Sequence, residues 1–380
     1  MDFRFTEEQE IFRKAIRGFL KKECTRDYVR ECDEKEEYPT VLMDKIAELG
    51  WFGLPFPERY GGSGGDIIDV VILFEELGYF MLQVAREMAR IIGITGLTIL
   101  NHGTEKQKEF YIPRISRGEL ILSFGMTEPN AGSDAVSITT SAIEDGEGFI
   151  INGNKVFCSA ADYADYIVLV VRTDKSAPRH KGISLFLVDP NAKGVEIRKL
   201  RTLGVRSVGT AEVFLSDVRV PKEDLLGSPN KGWDYITETL GRERVSIASI
   251  CVGAAQSAFD DVLQYAKERE QFGRPLGRFQ VIQHKFADMQ IDIEAARLFT
   301  YRAAYLLREG GVCRKEAAIA KLQASEAYMQ TALQGIQIMG GYGYMMEYDM
   351  QRHFRDAKLF EIGGGASEIQ RNIIARELGL

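Results

Sequence analysis

Histidine and cysteine are scarce, with four of one and five of the other in 380 residues. Cys24, Cys32, Cys158, Cys251 and Cys313 are odd in number and scattered, and neither they nor the histidines fall at metal-ligand spacing. A disulfide framework and a structural metal are not expected, and a reduced, intracellular chain is. No apolar run is long enough to span a bilayer. The start, Met1 to Glu8, has neither an apolar signal region nor an Arg- and Ser-rich transit segment, so a cytoplasmic location is expected. No Gly-x-Gly-x-x-Gly follows a strand pattern, which argues against a dinucleotide bound through a Rossmann fingerprint. A formal charge of −7 argues against nucleic acid or an anionic membrane as partner.

What is present is ordinary globular composition, 45% apolar and 27% charged, with length for two or three domains. Residues 1–119 read as an N-terminal helical domain. Thr6 and Gln9 form a capping-box pattern before the helical period of Ile11, Phe12, Ala15, Ile16, Phe19 and Leu20. A second helix follows Pro39 and stops at Gly50, Leu54–Gly62 is a rigid turn, and Asp66–Tyr79 is a mostly buried helix. A further helix from about Val84 to His102 carries Arg86, Glu87 and Arg90 before an apolar second half. Residues 120–228 change to β pattern. Tyr166–Val171 and Ile183–Val188 are short strands, with turn signals at Asp145-Gly146 and Asn152-Gly153. No strand alternates with a long helix, so a central antiparallel sheet or barrel is expected. Residues 229–380 are helical again, with long segments near 231–270, 279–309, 315–339 and 367–378 and a short piece between, which suggests a four-helix bundle. The fold class expected is α+β and multidomain.

Near the C-terminus a charged and apolar run, Arg355 to Ile362, meets Gly363-Gly364-Gly365 before Ser367 and Glu368 open a last helix. Such a turn lets the backbone approach a ligand closely, and the helix start offers free N–H groups. This stretch, with Phe124-Gly125-Met126-Thr127-Glu128-Pro129-Asn130-Ala131-Gly132-Ser133-Asp134 and Arg269-Glu270-Gln271-Phe272-Gly273, resembles the acyl-CoA dehydrogenase family over essentially the whole chain and in the family's order. One departure stands out. Many members carry Tyr-Glu-Gly-Thr where this chain has Gly363-Gly364-Gly365-Ala366, so Gly364 stands at the position of their catalytic glutamate.

The resemblance implies bound FAD and assigns roles position by position. Thr127 contacts the flavin pyrimidine side, and Ser133 the pyrophosphate and CoA region. Phe157 packs on the flavin ring and Ser159 bonds its N5. Arg269, Gln271 and Phe272 reach the FAD of a neighbouring subunit, as do Gln337 and Gly341, and Glu368 is a further cofactor contact. A site shared between chains implies an oligomer, a homotetramer built as a dimer of dimers. The helix bearing Arg86, Glu87 and Arg90 walls the acyl end of the pocket, where charges suit a polar or carboxylated acyl group; alternatively Glu87 and Arg90, three apart, form an ordinary ion pair.

The missing base is sought on the helix that starts near Lys231. Trp233, Ile236, Leu240, Ile247, Ile250 and Ala254 make one apolar stripe with a single gap, and Glu243 fills it. A carboxylate on a buried face is desolvated, which raises its pKa toward the range useful to a base. Isovaleryl-CoA and long-chain dehydrogenases lack the C-terminal glutamate and have Glu-Arg here, as this chain does. Arg244 matches a residue that binds the CoA or pantetheine arm. The alternative is a buried ion pair between Glu243 and Arg242 or another arginine.

The expected activity is FAD-dependent α,β-dehydrogenation of an acyl-CoA thioester to the trans-2-enoyl-CoA. In it Glu243 removes the α-proton, the β-hydrogen leaves as hydride to the flavin, and an electron-transfer flavoprotein takes the electrons. A flavin oxidase, an enoyl-CoA reductase of the crotonobetainyl-CoA type and a non-catalytic FAD- or CoA-binding scaffold are the alternatives.

Overall fold

The computed structural model describes residues 4–380, so the first three residues of the acidic start lie outside it. The helices before the sheet are α1 (Glu7–Glu23), α2 (Arg26–Lys35), α3 (Thr40–Glu48), α4 (Ile67–Met88), α5 (Leu97–His102) and α6 (Glu105–Ser116). The Thr6 capping box closes at the start of α1, with the hydroxyl accepting from Gln9 N and the Gln9 side chain accepting from Thr6 N. Sequence periodicity missed α2, a short polar helix whose buried face is only Val29, Cys32 and Asp33. It also split α4 at Tyr79. In fact α4 runs on to Met88 across a kink at Met81, where φ is −153°. The expected single helix over 84–102 is instead the end of α4, a π-helical stretch over Ala89–Gly96, and α5. The wider turn leaves carbonyls off the ordinary ladder. Thr95 Oγ1 donates to Arg90 O and Ile91 O, and Thr98 Oγ1 donates to Ile94 O.

The sheet comprises β1 (Leu122–Gly125), β2 (Ser141–Asp145), β3 (Gly148–Ser159), β4 (Tyr166–Arg172), β5 (Ile183–Val188), β6 (Val195–Leu200), β7 (Thr210–Pro221) and β8 (Leu225–Leu226). Its order is β6-β7-β3-β2-β4-β5-β8, with β1 also on β4. Pairing is antiparallel except at β4, which takes β1 along residues 166–169 and the first residue of β2 at Arg172, both parallel. Thus β1 and β2 run in line along one edge of β4, and residues 126–140 are an excursion between them, rooted at both ends. Asn152-Gly153, expected to be a turn, lies inside β3 at a bulge. At φ +151°, Gly153 presses on Thr140, where a side chain would collide.

After the sheet come α7 (Gly232–Glu268), a two-stranded ribbon of β9 (Glu270–Gln271) and β10 (Arg274–Pro275), α8 (Gln280–Arg308), α9 (Arg314–Met339), α10 (Gly341–Tyr344), α11 (Met350–Ile362) and α12 (Ser367–Glu377). One apolar core joins the two helical parts, because α4 lies directly on α7. Gly78 and Gly253 face backbone of the opposite helix at that crossing, with no room for a Cβ. A second apolar cluster fills the sheet. The close α4–α7 crossing fixes the middle of α7 against the middle of α4.

Candidate active site

Glu243 lies about two turns of α7 before Ile250 at that crossing and is 9% exposed. The stripe around it folds as its spacing predicts, with Ile236, Ile247, Ile250 and Ala254 buried and Trp233 and Leu240 partly so. No described residue gives the Glu243 carboxylate a hydrogen bond or ion pair, and the pairing with Arg242 does not form. Burial holds its pKa above the ordinary carboxylate range, against the pull of Arg86 first, then Arg244 and Lys321. A carboxylate that is buried, unpaired and harder to ionise is poised to accept a proton.

Gly364 lies across from it. A Cβ built there would stand 3.8 Å from Glu243 Oε1 and inside van der Waals contact of Ile247 Cδ1. Residues 243 and 364 therefore address one space. The turn takes φ +65° at Gly364 and +88° at Gly365. Its carbonyls are pinned from behind. Lys321 Nζ donates to Gly365 O at 2.8 Å, and Gln370 Nε2 donates to Gly365 O at 2.9 Å and Gly364 O at 3.2 Å. The N–H groups of Gly364 and Gly365 have no partner among the described residues, so the fixed peptide planes present free donors.

Glu87 and Arg90, on the neighbouring wall, are both buried and pair with each other, with Arg90 Nε 3.3 Å from Glu87 Oε2. Tyr38 Oη donates to Glu87 Oε1 at 2.9 Å. Arg86 belongs to no such pair. It is half-buried on the last turn of α4, and the charge that most favours its ionisation is Glu243. Arg244 is buried, and its Nε lacks a partner.

On the sheet side, Val156 N donates to Thr127 O at 2.9 Å, which seats Thr127 beside Phe157. Phe157 is 66% exposed in mid-strand at φ +60°, on the second bulge of β3. Ser159, two residues on, is half-buried. The excursion bearing Thr127 and exposed Ser133 is anchored by Glu128. This carboxylate accepts from Lys155 Nζ at 2.8 Å, Thr139 N at 2.7 Å and Thr140 N at 2.9 Å. Burial works against the Glu128 charge, but Lys155 and these hydrogen bonds outweigh it and bring the pKa down to about 2.

A second group gathers at the other end of α7. Arg269, Gln271 and Gly341 line one cavity of about 620 Å³ with Tyr265, Tyr342 and Met345. The Arg269 guanidinium lies 5.6 Å from the centre of the Tyr342 ring. Phe272 and Gly273, both at positive φ, make the tip of the β9–β10 ribbon and leave Phe272 94% exposed. Gln337 is exposed on the last turn of α9, and Glu368 is exposed on the first turn of α12. From Glu243 to Arg269 is 26 residues of one helix, about 39 Å at 1.5 Å per residue. The structure thus brings Glu243, Gly364, Arg244 and the α4 end together, gathers Thr127, Phe157 and Ser159 separately, and keeps Arg269, Gln271 and Gly341 remote.

Lys321 and Gln370 escaped the sequence reading. Lys321 is a fully buried lysine in an alanine-rich run, Ala317-Ala318-Ile319-Ala320, and a charge amid small apolar residues was the available signal. Gln370 gave none.

Comparison with known proteins agrees with the geometry. Family models described as the N-terminal, middle and C-terminal domains of acyl-CoA dehydrogenase match residues 6–119, 123–218 and 230–379. The chain is 43% identical to a probable acyl-CoA dehydrogenase, YngJ, of Bacillus subtilis over all of both chains. It is 38% identical to the CarC subunit of the caffeyl-CoA reductase–Etf complex of Acetobacterium woodii, over 98% of each. Among solved structures it is similar to butyryl-CoA dehydrogenase from Megasphaera elsdenii, with TM-score 0.95 and 37% identity over all of both chains. The chain therefore belongs to the acyl-CoA dehydrogenase family and is an oxidoreductase of that type.

Proposed function

We propose that the protein catalyses α,β-dehydrogenation of an acyl-CoA thioester with Glu243 as the base, in the base placement of the isovaleryl-CoA and long-chain enzymes. One observation carries the reading: a buried, unpaired carboxylate faces Gly364, where a side chain would enter the same space. Glu243 takes the α-proton. The free N–H groups of the glycine turn polarise the thioester carbonyl, held in position by Lys321 and Gln370. Burial keeps the proton affinity of Glu243 high enough for the transfer. The similarity to a butyryl-CoA enzyme favours a short acyl group over a long one.

The residues fit FAD. An aromatic face at Phe157 lies open beside Thr127 and Ser159, and a cavity with an arginine and a glycine-bordered wall lies open at Arg269. Thr127, Ser133, Phe157, Ser159 and Glu368 would hold it on one chain. Arg269, Gln271, Phe272, Gln337 and Gly341, about 39 Å along α7 from Glu243, would hold that of a partner chain. Bound FAD supplies a two-electron acceptor for the hydrogen that leaves the β-carbon. A homotetramer and an electron-transfer flavoprotein partner follow from the same reading, and a monomeric mass by light scattering of the FAD-loaded protein would contradict the shared site.

The test is anaerobic bleaching of the FAD-loaded protein by acyl-CoA thioesters. Glu243→Gln should slow it by about 10²- to 10⁴-fold; bleaching at near wild-type rate would refute the assignment. Likeness to a reductase–Etf subunit favours a second reading, in which the same site saturates an enoyl-CoA. Reduction of an enoyl-CoA by a reduced flavoprotein, with no bleaching by saturated thioesters, would select it.

A further inference from the structure

A cavity of about 300 Å³, at the small end of the range for ligand sites, lies apart from both groups of site residues. It is bounded by the start of α4, the π-helical stretch with α5, the end of α8 and one side of α7. Its apolar wall is Ile67, Val70 and Phe74 from α4 with Ile92, Leu97 and Leu100, and the fully buried Phe74 and Ile92 close the inner end. Gly93 keeps the space open. The residue is buried, yet a Cβ built on it would meet nothing within 4 Å. Glu243, Arg244, Gly364 and Lys321 do not border the cavity. Arg242 and Ser246 do, and they lie about 100° and 60° round α7 from Glu243, both on the same side. The cavity and the active site therefore share one helix and open on different faces of it.

One cation on this cavity is unanswered. Arg242 is half-buried, and its guanidinium has no hydrogen bond or ion pair to any described residue. Glu238, the ordinary partner one helical turn before it, meets His102 Nε2 at 3.2 Å instead, and Glu243 lies across from Gly364. Asn101 adds a carboxamide with no partner among the described residues. The other two charges, Asp66 and Arg308, answer each other at 3.7 Å, and Asp66 also caps α4. We propose that this cavity is a second ligand site, which takes a small aliphatic monocarboxylate with its chain on the apolar wall and its carboxylate on Arg242. A planar carboxylate matches the fork of a guanidinium in two parallel hydrogen bonds. A dianion such as phosphate would meet the Asp66 carboxylate and bury no apolar surface. An uncharged chain would leave Arg242 unanswered, so the site discriminates against it. The inference stands on the cavity alone and does not depend on the proposed dehydrogenation.

The test is isothermal titration of the FAD-loaded protein with hexanoate, with 1-hexanol as the uncharged control. Hexanoate should saturate one site per chain with a Kd of about 1 mM or tighter, and 1-hexanol should bind at least about 10-fold more weakly. Arg242→Gln should weaken hexanoate by about 10-fold or more and leave 1-hexanol unchanged. Gly93→Leu fills the cavity and should abolish binding of both. A saturating amount of butyryl-CoA should leave hexanoate binding in place, because the two occupy different faces of α7. In the wild-type protein, which needs no variant to fold, the inference is overturned by 1-hexanol binding as tightly as hexanoate, by displacement of hexanoate by butyryl-CoA, or by no saturable binding up to about 20 mM. Undiminished hexanoate binding in a folded Gly93→Leu protein overturns it as well, since the acid would then sit elsewhere.

Discussion

Gly364→Ala tests the shared space directly. At φ +65° a Cβ costs about 1–2 kcal/mol in left-handed backbone strain. The same Cβ enters Ile247 Cδ1, and pushing that side chain off its rotamer adds about 0.5–1.5 kcal/mol. The sum is about 1.5–3.5 kcal/mol of destabilisation, read by urea unfolding at neutral pH. Ile247→Val removes Cδ1 and by itself costs about 0.5–1.5 kcal/mol. In the double variant the collision is gone and only the strain remains, so the two changes should be less than additive by about 0.5–1.5 kcal/mol. The functional arm is the swap of Gly364→Glu with Glu243→Gly. Two carbon–carbon bonds and a carbon–oxygen bond carry a glutamate oxygen roughly 3–4 Å from its Cβ, and Glu243 Oε1 is 3.8 Å from the Cβ position. The swap should regain part of the activity lost in Glu243→Gly. Strict additivity of the stability changes, together with a folded, FAD-loaded swap variant no more active than Glu243→Gly, would refute the idea of one pocket with two possible homes for its base.

The remaining predictions concern charges. Burial, first, and Asp33, next, push Asp356 up to about 7. Because its folded pKa lies above the unfolded one, the native state holds a proton that the unfolded chain releases, and stability falls as pH rises from about 4 to about 7; Asp356→Asn should flatten that decline in urea unfolding at pH 5 and 8, and an unchanged slope would count against it. Lys155→Met strands the Glu128 carboxylate and should cost about 3–5 kcal/mol, with loss of FAD on gel filtration as the sheet excursion loosens; retention of cofactor and stability together would contradict the anchor. The proposed base must be ionised to act, so the rate rises with pH through the raised Glu243 pKa; Lys321→Met removes a cation that lowers this pKa, so the acid limb of kcat should move to higher pH. A limb that stays in place or moves down would separate Lys321 from the base.

How far the sequence revealed this depended on whether a contact was written locally. The gap in the α7 stripe is a local pattern, and Glu243 is buried as that pattern predicts. The Thr6 capping box is likewise spelled within four residues. By contrast, the pairing state of Arg86, Glu87 and Arg90 turned on Tyr38, 49 residues from Glu87, and on an α-to-π change that helical periodicity cannot register. The pinning of the glycine turn by Lys321, 44 residues away, is equally invisible to spacing. Asn152-Gly153 read as a turn because the dipeptide favours positive φ, and the sheet spends that freedom on a bulge.

Asp356 and its neighbour Arg355 have a consequence for how the chain is made. Asp356 accepts from Gln83 Nε2 at 2.8 Å and Val205 N at 2.5 Å, across 273 and 151 residues. Arg355 holds Asp33 at 2.5 Å across 322 residues, and donates to Leu203 O at 3.1 Å. During synthesis the first helices and the whole sheet therefore emerge with these sockets empty, and nothing in the earlier chain can fill them. The junction between the helices and the sheet locks only once α11 is free to fold back onto them. A truncated or stalled chain ending before Arg355 is thus a half-closed object with buried-type polar groups facing water, a natural client for chaperones and proteases.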